Sequence, residues 1–409
     1  MNYKIINEPL KHVIIDTKKE IHGWYPGKRE CTAERMLINP YNGCSIGCFY
    51  CYARALPGYF ELFQNGGNLP DSNEYVDPGT IFVSRDYDKI IAEQLDSIDI
   101  ATCGYLSPVT DPFQELDKKY LLSEKIIKVF IERNIPIEFI TKSKIPDSVI
   151  DLIKGNKYSF GQVSILTTDE NIRKILVPNG ENTNELFNNI KRLAENNIFA
   201  VCRIDPIFPY ITDDKKQLKN IVNRAIDSGA KHIISSIVDI PVKISYYILN
   251  NIKKYFGTSV YYDYKNLYTE KIGYMNAKID YRKKIFDYLR NLCDSLNITF
   301  ALCMEYEIIE KDIENKQKDI TDEKTEVIGL NRIFMSSVNC EGIDIPVHIK
   351  GKDNKFYPAT DCSGNCLNCI EPKCGINDLA MGRINSKKDW KLKDYRRWSK
   401  EIRYEKLPL

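Results

Sequence analysis

The chain has 409 residues, with 58 Lys or Arg against 56 Asp or Glu, so its formal net charge at pH 7 is +2. This length supports a sizeable core, in one large barrel or in two to three domains. The near-neutral charge excludes a molecule-wide field that would hold nucleic acid or an anionic membrane, although it leaves room for a local basic patch.

Thirteen cysteines are an odd number, and the first residues contain no apolar signal core. This combination argues against a secreted disulfide protein and predicts a reducing, cytoplasmic location. No run of about twenty apolar residues occurs, so we expect no membrane-spanning helix.

Residues 1–38 mix charged and aromatic positions without a clear period, which predicts an irregular lead-in over one end of the fold. Residues 39–54 follow, with the sequence NPYNGCSIGCFYCYAR and a compact group of three cysteines, Cys44, Cys48 and Cys51. Three thiolates this close together indicate a metal site. A cubane iron–sulfur cluster normally takes four thiolates, so three would leave one iron open.

The rest of this stretch fits a cluster loop. Gly43 and Gly47 allow the backbone to approach a bulky group, and Tyr50 supplies a flat apolar wall. The alternatives are a zinc knuckle or chance clustering, but zinc sites prefer four ligands in paired short spacings.

Residues 52–80 are rich in Gly, Pro and Asn and predict a long loop at the mouth of the cluster site. From residue 81 short apolar runs alternate with helical segments, which is typical of a parallel α/β sheet. Candidate strands cover residues 100–106, 137–141, 162–166, 199–204 and 232–238, and a strand in the cluster loop makes six. A last strand-like run covers residues 298–304.

Parallel strands present ligands at their carboxyl ends, so the polar residues there are candidates. Thr110, Asp111 and Lys142 follow predicted strands, and Ser164 lies within one. Together they complement a zwitterionic amino acid, because Asp111 and Thr110 can accept from an ammonium group while Lys142 and Ser164 can donate to a carboxylate. The alternative is that Asp111 is a turn residue and Lys142 is solvated. Arg203 lies inside an apolar run and either points towards a ligand or is a paired structural arginine.

Residues 308–327 are mostly charged and predict a solvated linker or an exposed helix. A second cysteine group follows, with the spacing C-x₃-C-x₂-C-x₄-C, made of Cys362, Cys366, Cys369 and Cys374. Four thiolates can close either an auxiliary iron–sulfur cluster or a structural zinc site, and we favour the cluster. Cys303 and Cys340 could instead join this group and release one of its four members.

The tail from residue 387 to residue 406 holds nine basic and four acidic residues, a local charge of +5, with Trp390, Tyr395, Trp398 and Tyr404 interleaved. This composition suits phosphate contacts and stacking on bases. The alternative is an amphipathic helix that packs its aromatic side chains on the barrel.

The cysteine loop resembles the CxxxCxxC loop of the radical SAM superfamily. Its flanks, Asn-Pro-Tyr before and Tyr-Cys-Tyr-Ala after, resemble the branch that contains spore photoproduct lyase. The resemblance implies an α/β fold: a partial, six-stranded, parallel TIM-like barrel over residues 39–306. It leaves a lead-in over residues 1–38 and a cysteine-rich extension over residues 307–409.

In that family the open iron of a [4Fe–4S] cluster chelates S-adenosylmethionine (SAM), and electron transfer yields a 5′-deoxyadenosyl radical that abstracts hydrogen. The resemblance therefore implies SAM as a partner and an electron donor such as flavodoxin or ferredoxin. It also implies that Tyr50, Thr110, Asp111, Lys142 and Ser164 bind the cofactor. We expect a macromolecular substrate, either nucleic acid or peptide.

The chain departs from spore photoproduct lyase where that enzyme has a hydrogen-donating cysteine, because Ser107, Pro108 and Val109 occupy this place. Cys103 is the nearby candidate donor, and Arg203 is a second candidate catalytic residue. We therefore infer no repair of thymine dimers. The competing hypothesis is a non-catalytic iron–sulfur or zinc protein that binds nucleic acid through its tail.

Overall fold

The structure is a computed structural model, and it describes residues 3–23, 34–70, 72–310, 325–360, 362–366, 369, 370, 372, 374 and 390–396. The strands in chain order are β1 (Tyr3–Ile6), β2 (His12–Ile15), β3 (Arg35–Ile38), β4 (Tyr41–Asn42), β5 (Gly67–Asn68), β6 (Tyr75–Val76), β7 (Ile81–Ser84), β8 (Ile100–Ala101), β9 (Cys103–Leu106), β10 (Ile137–Thr141), β11 (Phe160–Ser164), β12 (Phe199–Ile207), β13 (His232–Ile237), β14 (Glu270–Ile272), β15 (Tyr274–Asn276), β16 (Thr299–Leu302), β17 (Tyr306–Glu310), β18 (Thr325–Gly329), β19 (His348–Lys350) and β20 (Phe356–Pro358).

The helices surround this framework and mostly connect its strands. In chain order they are α1 (Tyr59–Asn65), α2 (Tyr87–Asp96), α3 (Glu115–Tyr120), α4 (Leu122–Glu132), α5 (Asp147–Ile153), α6 (Glu170–Leu176), α7 (Thr183–Glu195), α8 (Lys215–Asp227), α9 (Ser245–Phe256), α10 (Thr258–Leu267), α11 (Ile279–Ser295) and α12 (Asn331–Phe334), with short 3₁₀ helices at Tyr52–Ala55, Val242–Ile244 and Leu392–Arg396.

The central element is a parallel sheet of seven strands in the order β16-β13-β12-β11-β10-β9-β3. The sheet is curved like part of a TIM barrel but is not closed, because β16 and β3 remain at its edges. Sequence predicted six strands. The seventh is β16, which we recognised only as a strand-like run and which pairs in parallel with β13 from His232↔Thr299 onwards.

The prediction of an irregular lead-in over residues 1–38 is wrong in two ways. Strands β1 and β2 form a four-stranded sheet with β7 and β4, and β3 joins the central sheet beside β9. The signal was weak because these strands are only four residues long. Residues 52–80, predicted as a loop, contain α1 and the small β5–β6 pair.

The interior of the barrel is built in layers because side chains of a strand alternate between its two faces. At the end where the strands begin, a small apolar cluster closes the interior, and we call it the floor: Cys103, Phe160, Val201, Ile234 and Ile345. Two residues further along the strands lies a polar layer that includes Glu138, Gln162 and Arg203.

The C-terminal extension packs against the barrel. Strand β19 pairs antiparallel with β8 and with β20, and the Tyr395 hydroxyl donates to Glu34 Oε1 at 2.9 Å. Trp390 and Tyr395 are buried, with ring centroids 5.0 Å apart. These two aromatics therefore cannot stack on bases, contrary to one of our two interpretations of the tail; Trp398 and Tyr404 lie outside the described residues.

Residues 306–310 and 325–329 form the antiparallel pair β17–β18, where a linker or an exposed helix was predicted. The residues between these strands lie outside the described part of the chain. Within the described part, no helix combines the length and the apolar character needed to cross a membrane.

Candidate active site

The cysteine loop begins just after β3 and β4, at the end of the barrel where the parallel strands finish. Cys44, Cys48 and Cys51 all line one pocket. Gly43 and Gly47 have φ values of +96° and +81°, which favour glycine. A Cβ on Gly43 would also lie 2.6 Å from the Phe63 ring. The backbone conformation therefore requires glycine at these two positions of the loop.

Polar contacts fix the loop to neighbouring elements. Arg54 Nε donates to the Cys48 carbonyl at 2.9 Å, and Asn179 Nδ2 donates to the Ser45 carbonyl at 2.8 Å. The Ser45 amide donates to Gln114 Oε1 at 2.9 Å. The loop is thus held from three sides, which pre-positions its cysteines.

Burial raises the pKa of the Cys44 thiol, and it raises the pKa of Cys48 to about 11 although the nearby Lys142 ammonium lowers it. Both thiols would remain protonated at neutral pH unless a cation replaced the proton, as a coordinated metal does. In the described part of the chain no three His, Cys, Asp or Glu side chains already converge as ion ligands. The three thiols therefore share a pocket without a common centre.

Asp111 joins two strand ends. Its carboxylate accepts from the Phe113 amide at 2.9 Å, from the Lys142 amide at 2.7 Å and from Thr141 Oγ1 at 3.0 Å. Burial raises the pKa of Asp111, while these hydrogen bonds lower it. Asp111 thus lies beyond the end of a strand, as the sequence predicted, and its hydrogen bond also positions the Lys142 backbone.

The Lys142 ammonium lies near two groups: the Cys48 thiol on the cysteine loop and the Asp205 carboxylate in the last residues of β12. Among the described residues no carboxylate forms an ion pair with it within 4.0 Å. Lys142 is therefore a cation at the end of β10 that can still bind a carboxylate.

Several buried hydroxyl oxygens at this end of the barrel have no nitrogen or oxygen partner: Tyr50 Oη, Ser107 Oγ and Thr110 Oγ1. A buried hydroxyl without a partner costs free energy. Tyr50 and Thr110 were predicted to bind a cofactor, and Ser107 was not. Three thiols, a half-buried lysine and these hydroxyls suit a cluster together with a polar ligand such as SAM.

Ser164 and Arg203 lie inside the barrel. Gln162 faces the interior, where its amide binds Glu138 and Arg203, so Ser164, two residues further, faces the same way. Arg203 forms an ion pair with Asp205, with Nε to Oδ2 at 3.0 Å. Arg203 is therefore both inward-facing and paired, which combines our two interpretations of it.

Three carboxylates that we did not select lie near one another at the ends of β12, β13 and β16: Asp205 in the last residues of β12, Asp239 after β13 and Glu305 after β16. Arg203 pairs with Asp205, and Arg282 Nη1 pairs with Glu305 at 3.0 Å. Asp239 accepts from Asn276 Nδ2 at 2.6 Å, and burial and then the charge of Glu305 raise its pKa. Asp239 and Glu305 follow their strands by two and three residues, and such a position after a buried apolar run is the signal that could have identified them.

Cys103 lies away from the cysteine loop. It is fully buried in the floor, at the first residue of β9, next to Arg35 and Glu138. The loop instead follows the last residues of β3. This position does not suit a hydrogen donor to a substrate at the mouth.

Cys303 lies inside the barrel after β16, close to Arg203, Tyr105 and Tyr52. It therefore does not join the C-terminal cysteines, as one of our alternatives proposed. Cys340 lies near Arg35, and its carbonyl is within 3.1 Å of His232 Nε2.

The C-terminal cysteines lie at the opposite end of the barrel. A hydrogen bond with Cys374 lowers the pKa of Cys362 to about 6, and Cys366 lies near both Cys362 and the start of β3 at Glu34 and Arg35. The Cys369 amide donates to the Cys366 carbonyl at 3.3 Å. Gly364, with φ of +79°, provides the tight turn; Gly375, the other predicted turn residue, lies outside the described residues.

The sequence profile of the radical SAM superfamily matches residues 38–225. The chain therefore carries a radical SAM domain, and the predicted resemblance is confirmed. Within that class the fold is similar to spore photoproduct lyase complexed with dinucleoside spore photoproduct. The TM-score is 0.51 at 14% identity, over 69% of this chain and 78% of that one.

Two curated relatives match much of their own length. One is the radical SAM Nα-GlyT isomerase of Pseudomonas phage M6, 25% identical over 402 residues, which are 93% of this chain and 78% of that protein. The other is an uncharacterized protein of Methanocaldococcus jannaschii, 26% identical over 218 residues, 51% of this chain and 72% of that protein.

Proposed function

We propose that the protein is a radical SAM enzyme whose Cys44, Cys48 and Cys51 bind a [4Fe–4S] cluster with one iron left for SAM. The observation that carries this proposal is the single pocket lined by all three thiols, in a loop belonging to the radical SAM domain. When bound, the cluster and SAM would supply a 5′-deoxyadenosyl radical that abstracts a hydrogen atom from the substrate.

The strand ends bind the amino-acid end of SAM in this proposal. Lys142 and Ser164 donate to the carboxylate, and Asp111 and Thr110 accept from the ammonium. Asp111 also accepts from Phe113, Thr141, Lys142 and Ser143, so what it would offer to the SAM ammonium is its negative charge. Tyr50 would lie beside the cluster, because its hydroxyl hydrogen-bonds the Cys48 thiol.

The substrate is macromolecular, and a rearrangement is the reaction that the comparisons favour. The match to the phage M6 isomerase covers 93% of this chain, including the C-terminal extension, whereas spore photoproduct lyase shares the fold alone. An isomerase changes the structure of its substrate without changing the mass. Mass spectrometry and chromatography of the treated substrate therefore separate this reaction from a lyase reaction.

The C-terminal cysteines bind a second [4Fe–4S] cluster in our proposal, and structural zinc is the alternative. Cys362 lies near two of the other three, Cys374 and Cys366. A fully thiolate-ligated cubane has no open iron for SAM, so its work would be electron transfer or support of the fold. The reducing cytoplasm, which we also propose, keeps these thiols reduced.

The decisive experiment is anaerobic reconstitution with iron and sulfide, followed by addition of SAM and dithionite and assay of 5′-deoxyadenosine. The wild type should form it, and the variant Cys44→Ala/Cys48→Ala/Cys51→Ala should not. Cys293→Ala, which removes a buried thiol from α11, is the matched control and should stay active. Equal SAM cleavage in the triple variant would refute the proposal.

A further inference from the structure

A helical hairpin flanks the mouth of the barrel between β13 and β16. It consists of residues 242–267, including α9 and α10, and we call it the tyrosine–lysine hairpin. Lys243 forms an ion pair with Glu61 of α1 at 2.8 Å, and the Arg54 guanidinium lies 5.7 Å from the Tyr247 ring centroid. Tyr255 and Phe49 have ring centroids 6.2 Å apart. The hairpin therefore lies directly against the cysteine loop.

The hairpin concentrates one kind of chemistry on its surface. Its 26 residues include six tyrosines, four lysines and a single acidic residue, Asp263, for a local charge of +3. Tyr246 is 81% exposed and Tyr262 is 57% exposed. Large exposed rings of this kind mark interaction surfaces, and the local charge exceeds that of the entire chain.

The lysines contact aromatic rings. Lys254 lies 4.8 Å from the Tyr255 ring centroid, and Lys253 and Lys265 lie 5.5 and 5.6 Å from that of Tyr261. In the described part of the chain no carboxylate forms an ion pair with any of these three lysines. Their charges therefore stay available to an anion, while the adjacent rings offer flat surfaces.

We propose that the tyrosine–lysine hairpin binds single-stranded or locally unpaired nucleic acid and delivers it to the barrel mouth. Alternating cations and aromatic rings match the alternation of phosphates and bases in a single strand. A duplex hides the faces of its bases, and an acidic peptide would use the lysines but not the rings. This proposal rests on the proposed function, since it names the substrate class for the same mouth.

The test is fluorescence anisotropy of the reconstituted protein with a labelled single-stranded DNA 12-mer over a series of salt concentrations. The variant Lys253→Gln/Lys254→Gln/Lys265→Gln should bind more weakly. Its slope of log affinity against log salt should be smaller by about two, because each phosphate contact on a single strand contributes roughly 0.7. Tyr246→Ser/Tyr262→Ser should weaken binding about tenfold or more, with little change in slope.

The matched control is Lys154→Gln/Lys157→Gln/Lys231→Gln. These exposed lysines precede the first residues of β11 and β13, at the other end of the barrel, and Lys157 also lies over a tyrosine ring at 5.1 Å. The control should bind like the wild type. Wild-type binding by the hairpin variants, an equal loss in the control, or equal affinity of the wild type for polyglutamate would overturn the proposal.

The formation of 5′-deoxyadenosine from SAM and dithionite keeps the two proposals distinguishable. It should be the same in the hairpin variants and in the wild type, because the hairpin does not hold the cluster. A protein that binds the oligonucleotide but cleaves no SAM would overturn the proposed function alone. One that cleaves SAM but does not bind the oligonucleotide would overturn the hairpin proposal alone.

Discussion

At the scale of single residues, Asp111 and Lys142 differ in what else they support. Asp111 accepts from two backbone amides and a threonine hydroxyl, whereas the Lys142 ammonium makes no ion pair with a described residue. A change at Asp111 should therefore alter both the fold and the affinity for SAM, and a change at Lys142 should alter only the affinity.

We predict that Lys142→Met weakens SAM binding about ten- to a hundredfold, because it removes a charge-assisted contact of about 1.5–3 kcal/mol. The midpoint of urea unfolding should stay at the wild-type value. Asp111→Asn should weaken SAM binding to a similar extent and also lower the midpoint, since an amide group would face backbone N–H donors. Calorimetric titration with SAM measures the first effect. Wild-type affinity in both variants would show that neither residue contacts SAM.

His232 gives a pH dependence that can be isolated. Its ring is fully buried between Thr299 Oγ1 and the Cys340 carbonyl, and burial lowers its pKa to about 4. The unfolded chain, with a histidine pKa near 6.5, binds a proton that the native state excludes between these values. His232 therefore makes stability fall as the pH drops from about 6.5 to 4.

The expected contribution is at most about 1.4 kcal/mol per pH unit in that window. The variant His232→Asn should show a correspondingly shallower decline of the free energy of unfolding. Above pH 7 the two proteins should have parallel profiles, because neither state then binds the proton. Urea unfolding at a series of pH values measures this, and identical slopes below pH 6 would contradict the assignment.

The residue scale also shows what sequence reasoning can reach. The position of Lys142 could be predicted because a polar residue that follows a buried apolar run lies at the carboxyl end of a parallel strand, and Ser164, predicted within a strand, is the last residue of β11. Cys103 could not be judged in this way. Sequence predicted one strand over residues 100–106, with Cys103 at its middle. In the structure β9 begins at Cys103, so this thiol lies at the end of the barrel away from the cysteine loop.

At the scale of elements, the central strands are linked by a buried polar chain. Arg35 of β3 donates to Glu138 of β10 at 2.9 Å and also pairs with Glu341. Glu138 accepts from Gln162 of β11 at 2.7 Å, and Gln162 accepts from Arg203 of β12 at 2.8 Å. Register is thereby specified by polar contacts as well as by packing, because a slip of one residue would turn these groups to the other face.

We predict that Arg35→Met destabilises the protein by about 3–5 kcal/mol, because Glu138 and Glu341 would lose their shared cation inside the barrel. Glu138→Gln should cost less, since the amide keeps an acceptor for Arg35. The double variant should be more stable than the sum of the single changes implies, with a coupling of about 0.5–3 kcal/mol. Chemical denaturation of all four proteins measures this, and a cost of under about 1 kcal/mol for Arg35→Met would disprove the network's role.

Long elements could be predicted and short ones could not. The helical segments predicted after residue 81 include α7 and α4, whose spaced apolar residues are buried: Leu186, Phe187, Ile190 and Leu193 in α7, and Ile126, Ile127 and Phe130 in α4. Strands β1 to β3 have four residues each, too few for a period to stand out. Their partners lie up to about seventy residues away, so only tertiary contacts stabilise them.

At the scale of the whole molecule, the two cysteine groups lie at opposite ends of the barrel. The loop of Cys44 follows β3, while Cys366 lies beside Glu34 and Arg35, where β3 begins. Spacing predicted two groups, but their separation could not be seen in the sequence, because it depends on how the extension returns to the barrel. A cluster at the C-terminal site would not touch a substrate at the mouth.

We predict that the variant Cys44→Ala/Cys48→Ala/Cys51→Ala, purified anaerobically, retains about four irons and four sulfides per chain, held by the C-terminal cysteines. Removal of this remaining cluster should lower the thermal midpoint, because the site lies where the extension meets the barrel. Metal and sulfide analysis decides the matter. One tightly bound zinc without sulfide would establish a structural zinc site instead.

The floor of the barrel has a kinetic consequence. Cys103, Phe160, Val201, Ile234 and Ile345 pack together at one end, so in the proposed function both ligands would enter through the end beside the tyrosine–lysine hairpin. Two ligands in a channel with one opening bind in a fixed order. If SAM is the inner ligand, at Lys142 and Ser164 as we propose, it should arrive first and depart last, and its exchange with solvent should stop for as long as a polymer lies across the opening.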